Sequence, residues 1–154
     1  MVDTLTEDKR SAVMAAVRSL GNRSTELKLL EIMRAYRIAG WRRHRKLPGS
    51  PDFVFPKQRL AVFVDGCFWH GCRVHCRMPS SRIPYWQAKI ERNIKRDRQI
   101  RKLLEARGWS VLRVWEHSLK DPSRVARTLN LKIAALSRPL PSQPTLRPLN
   151  RRHT

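Results

Sequence analysis

The chain has 154 residues, enough for one domain with a sizeable core, and an apolar fraction of 41% excludes wholesale disorder. Lys and Arg number 33 against 12 Asp and Glu, a formal net charge of +21, and self-repulsion on that scale calls for a polyanionic partner, nucleic acid before a membrane surface. No apolar run approaches the ~20 residues of a membrane-spanning helix, and the opening MVDTLTEDKR lacks the apolar stretch of a signal peptide, so a cytoplasmic protein is expected.

In chain order, residues 1–22 read as a loose arm carrying a short helical pattern through Met14, broken at Gly21-Asn22. "STELKLLEIMRAYRIAG" predicts a helix: Ser24 caps it, Glu26 suits its positive first turn, Leu29, Ile32, Met33 and Tyr36 form one face, and Gly40 stops it. "WRRHRKLPGS" is a basic approach segment ending in a Pro-Gly turn. "PDFVFP" and "RLAVFVDG" are short Val- and Phe-rich runs separated by Lys57-Gln58-Arg59, which predicts two adjacent strands of a hairpin. After the segment "DGCFWHGCRVHC" at residues 65–76, Pro84 opens a long helix over residues 86–107. Trp86, Ile90, Ile94, Leu103 and Leu104 give it an apolar side, Lys89, Arg92, Lys95, Arg96, Arg98, Arg101 and Lys102 a cationic surface, and Gly108 its end.

"WSVLRVWEHSL" predicts a third buried strand and "PSRVARTLNLKIAAL" a last helix. The tail at residues 137–154 carries four prolines and four arginines without periodicity, which predicts disorder. The order of elements implies an α/β fold over residues 23–136, a mixed central sheet flanked by helices.

Residues 65–76 hold all three cysteines of the chain and two of its five histidines. An odd count interleaved with histidine argues for a metal site in a reducing compartment rather than a disulfide framework. Thiolate and imidazole are zinc ligands. The preferred set is Cys67, Cys72, His75 and His117, the last from "WEHSL", with Cys76 as the substitute for His75. It reads as a structural zinc site.

Around it stand groups of another chemistry. Asp52 starts a strand directly after the Pro-Gly turn, and Asp65 ends the neighbouring strand. Carboxylates at adjacent strand ends suit a hard cation such as Mg²⁺. Glu26 on the preceding helix and His70, a general acid or base near neutral pH, extend the set. Helix Glu, strand Asp and an acidic second strand follow the order of the PD-(D/E)xK metal-dependent nucleases, with Pro51-Asp52 as the "PD". The departure is a missing lysine two residues after Asp65, where Cys67 stands; His70 is the nearest group able to act on water in its place.

Taken together, "LPGSPDFVFPKQRLAVFVDGCFWHGCRVH" and "YWQAKIERNIKRDRQIRKLLEARGWSVLRVWEHSL", with "KRSAVMAAVRSLGNRSTELKLL" before them, resemble the very-short-patch repair (Vsr) endonucleases over about residues 9 to 120. The resemblance implies a restriction-endonuclease-like fold with a structural zinc, and Mg²⁺-dependent nicking of one DNA strand 5′ to the thymine of a T:G mismatch left by 5-methylcytosine deamination. It implies Asp52 as Mg²⁺ ligand with the backbone carbonyl of Val64, His70 as general base and Glu26 assisting behind them. Asp65 stands where the family varies between an acid and histidine. Phe68, Trp69 and Trp86 match an aromatic wedge beside the mismatch. Met14 matches a residue entering from the opposite groove, and Lys89 and Asn93 match readers of the mismatched bases.

The implied context is a bacterial, monomeric protein functionally paired with a cytosine-5 DNA methyltransferase, with the mismatch-repair protein MutL as a candidate partner whose engagement the sequence leaves open. Two rivals remain on sequence grounds. One is a restriction-type or repair nuclease of the same fold without mismatch preference; the other is a non-catalytic zinc-stabilised DNA-binding protein. An RNA-binding module fits the charge but finds no RNP-like or GxxG pattern.

Overall fold

A computed structural model describes residues 25–138. The arm at residues 1–22, with Met14, the expected cap Ser24 and the tail from residue 139 onward lie outside it. The elements are helix α1 (Glu26–Ala35), strands β1 (Arg42–Arg43), β2 (Phe53–Phe55) and β3 (Leu60–Asp65), helix α2 (Ile83–Ala106), strand β4 (Ser110–Trp115), a 3₁₀ turn (Glu116–Lys120) and helix α3 (Pro122–Ser137). They build a four-stranded sheet in the order β1-β2-β3-β4. The expected hairpin is present: β2 and β3 are antiparallel, with Phe53 opposite Val62 and Phe55 opposite Leu60. β4 runs parallel to β3, and α2 makes the crossover that a parallel pair requires. This is the mixed sheet flanked by helices that the order of elements implies.

Alternation along β3 sorts the core into two layers. Leu60 and Val62 face a layer built with Leu29, Leu30, Ile32 and Met33 of α1 and Val125, Ala126 and Leu129 of α3. Ala61 and Phe63 face the other way, onto Leu104 of α2 and Val111 of β4. The same alternation carries Asp65 to the α2 side, together with Arg113 of β4. Among the described residues no helix is long and apolar enough to cross a membrane.

Four expectations need correction. Tyr36 is 45% exposed and caps the end of α1 rather than joining its apolar face, because the helix stops at Ala35 and Arg37 turns left-handed (φ 53°). The basic approach segment contains β1, a two-residue edge strand pairing Arg43 with Phe53, too short for any pattern to announce. Leu103 is 45% exposed while Leu104 is fully buried, since one position along a helix turns a side chain by about 100°. Finally, β4 ends at Trp115, so His117 belongs to the 3₁₀ turn.

Candidate active site

Two polar clusters flank the end of β3. The first is a cleft of about 430 Å³ lined by Asp52, Val64, Asp65, His70, Asp97 and Arg113, among others. Asp52, one residue before β2, accepts a hydrogen bond from the Val64 N–H at 2.7 Å. Its own backbone N–H acts on the carboxylate as well, and no cationic side chain among the described residues pairs with it. Burial pushes its carboxyl up to about 6, against the pull of the Val64 bond; the charges of Glu26 and Asp65 add to the rise.

The other carboxylates are committed. Glu26 is buried and bonded to Arg43 of β1, with Arg43 Nε at 2.9 Å and Nη2 on the same oxygen. This pair explains why β1 lies where it does. Asp65, also buried, receives Arg113 Nε and Nη2 on its two oxygens at 2.6 and 2.8 Å. Asp97 of α2 bonds His70 Nδ1 at 2.6 Å and takes Arg113 Nη2 at 3.1 Å. Burial works to raise Asp97, but His70 and Arg113 outweigh it and hold this carboxyl below its ordinary range. For Arg113, burial is likewise overcome by Asp65 and Asp97, which raise it. Because an ionised carboxylate only accepts, His70 Nδ1 is the donor to Asp97, and in the neutral imidazole this tautomer keeps the lone pair on Nε2.

The second cluster is sulfur and imidazole. Ligand atoms of Cys67, Cys72, His75 and His117 all lie within 4.8 Å of one another. Cys67 Sγ is 3.2 Å from His117 Nδ1, Cys72 Sγ is 3.7 Å from His75 Nδ1, and the two imidazole rings stack at 4.3 Å. Burial pushes the Cys67 thiol up and the His117 imidazole down. Cys76 stands apart, its Sγ 3.6 Å from the Phe68 carbonyl. A set of thiols and imidazoles converging on one point has the donor chemistry of zinc, whereas the oxygen-lined Asp52 position has that of a hard cation.

Between the clusters sits an aromatic group. Phe68 packs edge-on against Trp69 and Trp86 at 5.0 and 5.4 Å between ring centroids, and Trp86 is nearly buried. The structure thus holds the three aromatics closed on one another, with Tyr85 against Trp86 at 5.1 Å, rather than projecting into solvent. Lys89 Nζ lies 5.4 Å from the Trp69 ring centroid, and Asn93 Nδ2 donates to the Trp69 carbonyl at 3.0 Å. Gly71 (φ 63°) lets this loop lie on α2; a Cβ there would come within 2.9 Å of Ile90 and Ile94.

Asp97 and Arg113 escaped the sequence reading, though both leave a trace in it. Asp97 is one turn beyond Asn93, which is one turn beyond Lys89, so α2 presents the three on one face. Arg113 interrupts the apolar run "SVLRVW", and a charge within a buried strand requires a partner.

Comparison with known proteins adds a separate line of support. A family model described as "DNA mismatch endonuclease Vsr" matches residues 2–77. The type II nicking enzyme V.XorIIP of Xanthomonas oryzae pathovar oryzae is 45% identical over 125 residues, covering 79% of this chain and 89% of the relative. The type II nicking enzyme V.NmeDIP of Neisseria meningitidis serogroup C is 38% identical over 120 residues, 77% and 80% of the two chains. The DNA mismatch endonuclease Vsr of Escherichia coli K12 is 35% identical over 114 residues, 71% and 72%.

Proposed function

The chain belongs to the Vsr family of DNA mismatch endonucleases, and on that premise we propose that it nicks one strand of duplex DNA 5′ to the thymine of a T:G mismatch, with Mg²⁺ at Asp52. The observation that carries the mechanism is the division of carboxylates in the cleft. Asp65 and Asp97, and Glu26 behind them, each have a cationic or imidazole partner, and Asp52, raised to about 6, has none among the described residues.

In this reading His70 Nε2 takes the proton from the attacking water. Asp97 holds the imidazole in the tautomer that leaves Nε2 free, and it stabilises the imidazolium that forms. Asp52 supplies the anchoring carboxylate, and Val64, whose N–H already faces Asp52, turns its carbonyl to the same side of the strand. A divalent cation held there supplies Lewis-acid charge against the scissile phosphate and the leaving oxygen. Glu26 adds negative charge behind Asp52, tied to the sheet edge by Arg43. Zinc held by Cys67, Cys72, His75 and His117 would staple the loop that carries Phe68, Trp69 and His70.

Mismatch preference follows from stacking. A T:G wobble step parts more easily than a Watson–Crick step, and aromatic wedges convert that difference into selectivity. Phe68, Trp69 and Trp86 are the wedge, each base–ring contact contributing on the order of 1–3 kcal/mol. Lys89 and Asn93, a turn apart beside it, exchange Trp69 for the base edges, and the remaining cations of α2 bind phosphates. A methyltransferase that creates the 5-methylcytosine is the natural functional companion.

A labelled duplex with a single T:G pair, compared with its T:A and C:G parents in Mg²⁺ and in chelator, tests the reading. Nicking 5′ to the mismatched thymine in Mg²⁺ alone is the expected result. Equal nicking of all three duplexes would point to a nuclease of this fold without mismatch preference, and binding without nicking to a non-catalytic DNA-binding protein.

A further inference from the structure

Arg113, with the Asp65 it binds, is a charged group in the cleft to which the mechanism above gives no role. Its Nε and Nη2 fork onto Asp65 at 2.6 and 2.8 Å, Nη2 reaches Asp97 Oδ1 at 3.1 Å, and its guanidinium carbon lies 4.9 Å from the Phe63 ring centroid. Asp97 spends its other oxygen, Oδ2, on His70 Nδ1 at 2.6 Å. One continuous chain, Asp65–Arg113–Asp97–His70, therefore runs from the end of β3 across β4 to α2.

We propose that Arg113 is a positioning residue for the nicking reaction: it fixes the carboxylate of Asp97 against His70 and withdraws Asp65 from cation binding, leaving Asp52 as the single anchoring carboxylate. This rests on the roles given to Asp52 and His70 above.

Three features support it. A carboxylate pinned at both oxygens cannot rotate, so Asp97 presents Oδ2 to Nδ1 in one orientation. The charge of Arg96 also acts on this carboxylate, and Arg98 and Arg101 line the cavity beside it, so Arg113 holds Asp97 among other cations. Second, Asp65 Oδ1 is 3.9 Å from His70 Nδ1, outside hydrogen-bond range, so the chain reaches His70 through Asp97 and not directly. Third, both oxygens of Asp65 already accept charge-assisted hydrogen bonds from a guanidinium stacked on Phe63. A cation would have to displace an arginine whose planar fork suits this carboxylate geometry.

The test has a kinetic and a binding arm. In single-turnover nicking of T:G duplex, Arg113→Met is expected to slow the reaction ~10–100-fold with duplex Kd changed less than about threefold. Asp97→Asn is slowed comparably, and the double variant is no more than about twofold slower than Asp97→Asn alone. Losses that multiply in the double variant overturn the proposal, because Arg113 would then act by another route.

Arg113→Met leaves Asp65 buried without a partner, so the pair variant Asp65→Asn/Arg113→Met, which removes both charges, guards against misfolding. It should melt as one cooperative unit yet remain slow; wild-type nicking by this variant overturns the positioning role. The binding arm follows Mn²⁺ by electron paramagnetic resonance. The charge-neutral pair variant should bind Mn²⁺ within about twofold of the wild-type chain, and Arg113→Met, with Asp65 released, several-fold more tightly or at a second site. A tenfold loss in the pair variant shows Asp65 to be a ligand and overturns the second half of the proposal. If the wild-type chain fails to nick T:G duplex, the proposed function falls, while the Mn²⁺ arm still reads the division between Asp52 and Asp65.

Discussion

The sulfur–imidazole cluster and the carboxylate cleft both grow from the end of β3, where Asp65 and Cys67 stand two residues apart, yet they deal with buried polarity in opposite ways. In the cluster, four neutral-capable ligands converge on one point and pair with one another. In the cleft, like charges are kept apart by interposed cations: Arg43 on Glu26, Arg113 on Asp65 and Asp97. A closed set of soft ligands suits a structural ion that never exchanges its shell. An open set with one carboxylate that no cationic side chain among the described residues neutralises suits a hard cation that must also accept substrate. On the proposed reading one side of the loop at residues 65–76 serves folding and the other chemistry, so breaking the chemical side should spare stability while breaking the structural side should cost both.

The largest effect is expected on the chemical side. His70→Ala should lower single-turnover nicking of T:G duplex by about 10³-fold while leaving duplex affinity within roughly threefold, because in the proposed mechanism the imidazole acts on water and not on the wedge. Unaltered nicking would remove His70 from the mechanism. On the structural side, Cys72→Ser or exhaustive chelation should lower the melting temperature by roughly 10 °C or more, equivalent to about 3 kcal/mol. Nicking would then fall because the loop is loosened. A Cys72→Ser chain that loses nicking with an unchanged melting curve would dissolve the distinction between the two sides.

Acidity sharpens the same contrast. Asp52 is raised to about 6 from an ordinary carboxylate value near 3.8, so in the cation-free chain the folded state favours its protonated form. Stability therefore declines as pH rises from about 4 to 6 and is flat above, the reverse of an ion-paired aspartate such as Asp97. A cation at Asp52 must displace the proton at low pH. The apparent Mn²⁺ dissociation constant should rise about tenfold per pH unit below 6 and level off above 7. Affinity independent of pH between 5 and 7 would show that Asp52 is not the anchor.

Much of this was legible in the sequence because it follows from local pattern. Val- and Phe-rich runs bounded by Pro-Gly and Asp-Gly mark β2 and β3, and the buried stripe Leu29, Ile32, Met33 marks α1. The Cys and His spacing narrowed the cluster to four positions with Cys76 in reserve, and those four are the ones that converge. What stayed hidden depends on the register of distant elements. β1 pairs with β2 while its Arg43 binds Glu26 seventeen residues away. Asp97 meets His70 across twenty-seven residues. Arg113 meets Asp65 across forty-eight, through a parallel pairing that no hairpin rule supplies. The family resemblance implies a wedge of Phe68, Trp69 and Trp86 beside a mismatch; in the chain without DNA, packing those faces against one another removes apolar surface from water.

The smallest expected effect separates His75 from Cys76. Sequence spacing makes them near equivalents, since adjacent residues compete for one ligand position. The fold breaks the tie: the turn in which the Cys76 N–H bonds the Cys72 carbonyl at 3.0 Å leaves the Cys76 thiol facing the Phe68 carbonyl, while His75 stacks on His117. Cys76→Ser keeps a donor toward Phe68 and should change stability by no more than about 0.5 kcal/mol, with one zinc per chain retained by atomic absorption. His75→Ala opens the fourth position to water, and its zinc should be stripped by a chelator concentration ~10–100-fold lower than the parent needs. The reverse ranking would move Cys76 into the ligand set and require the loop to close differently around the ion, carrying Phe68 and Trp69 with it.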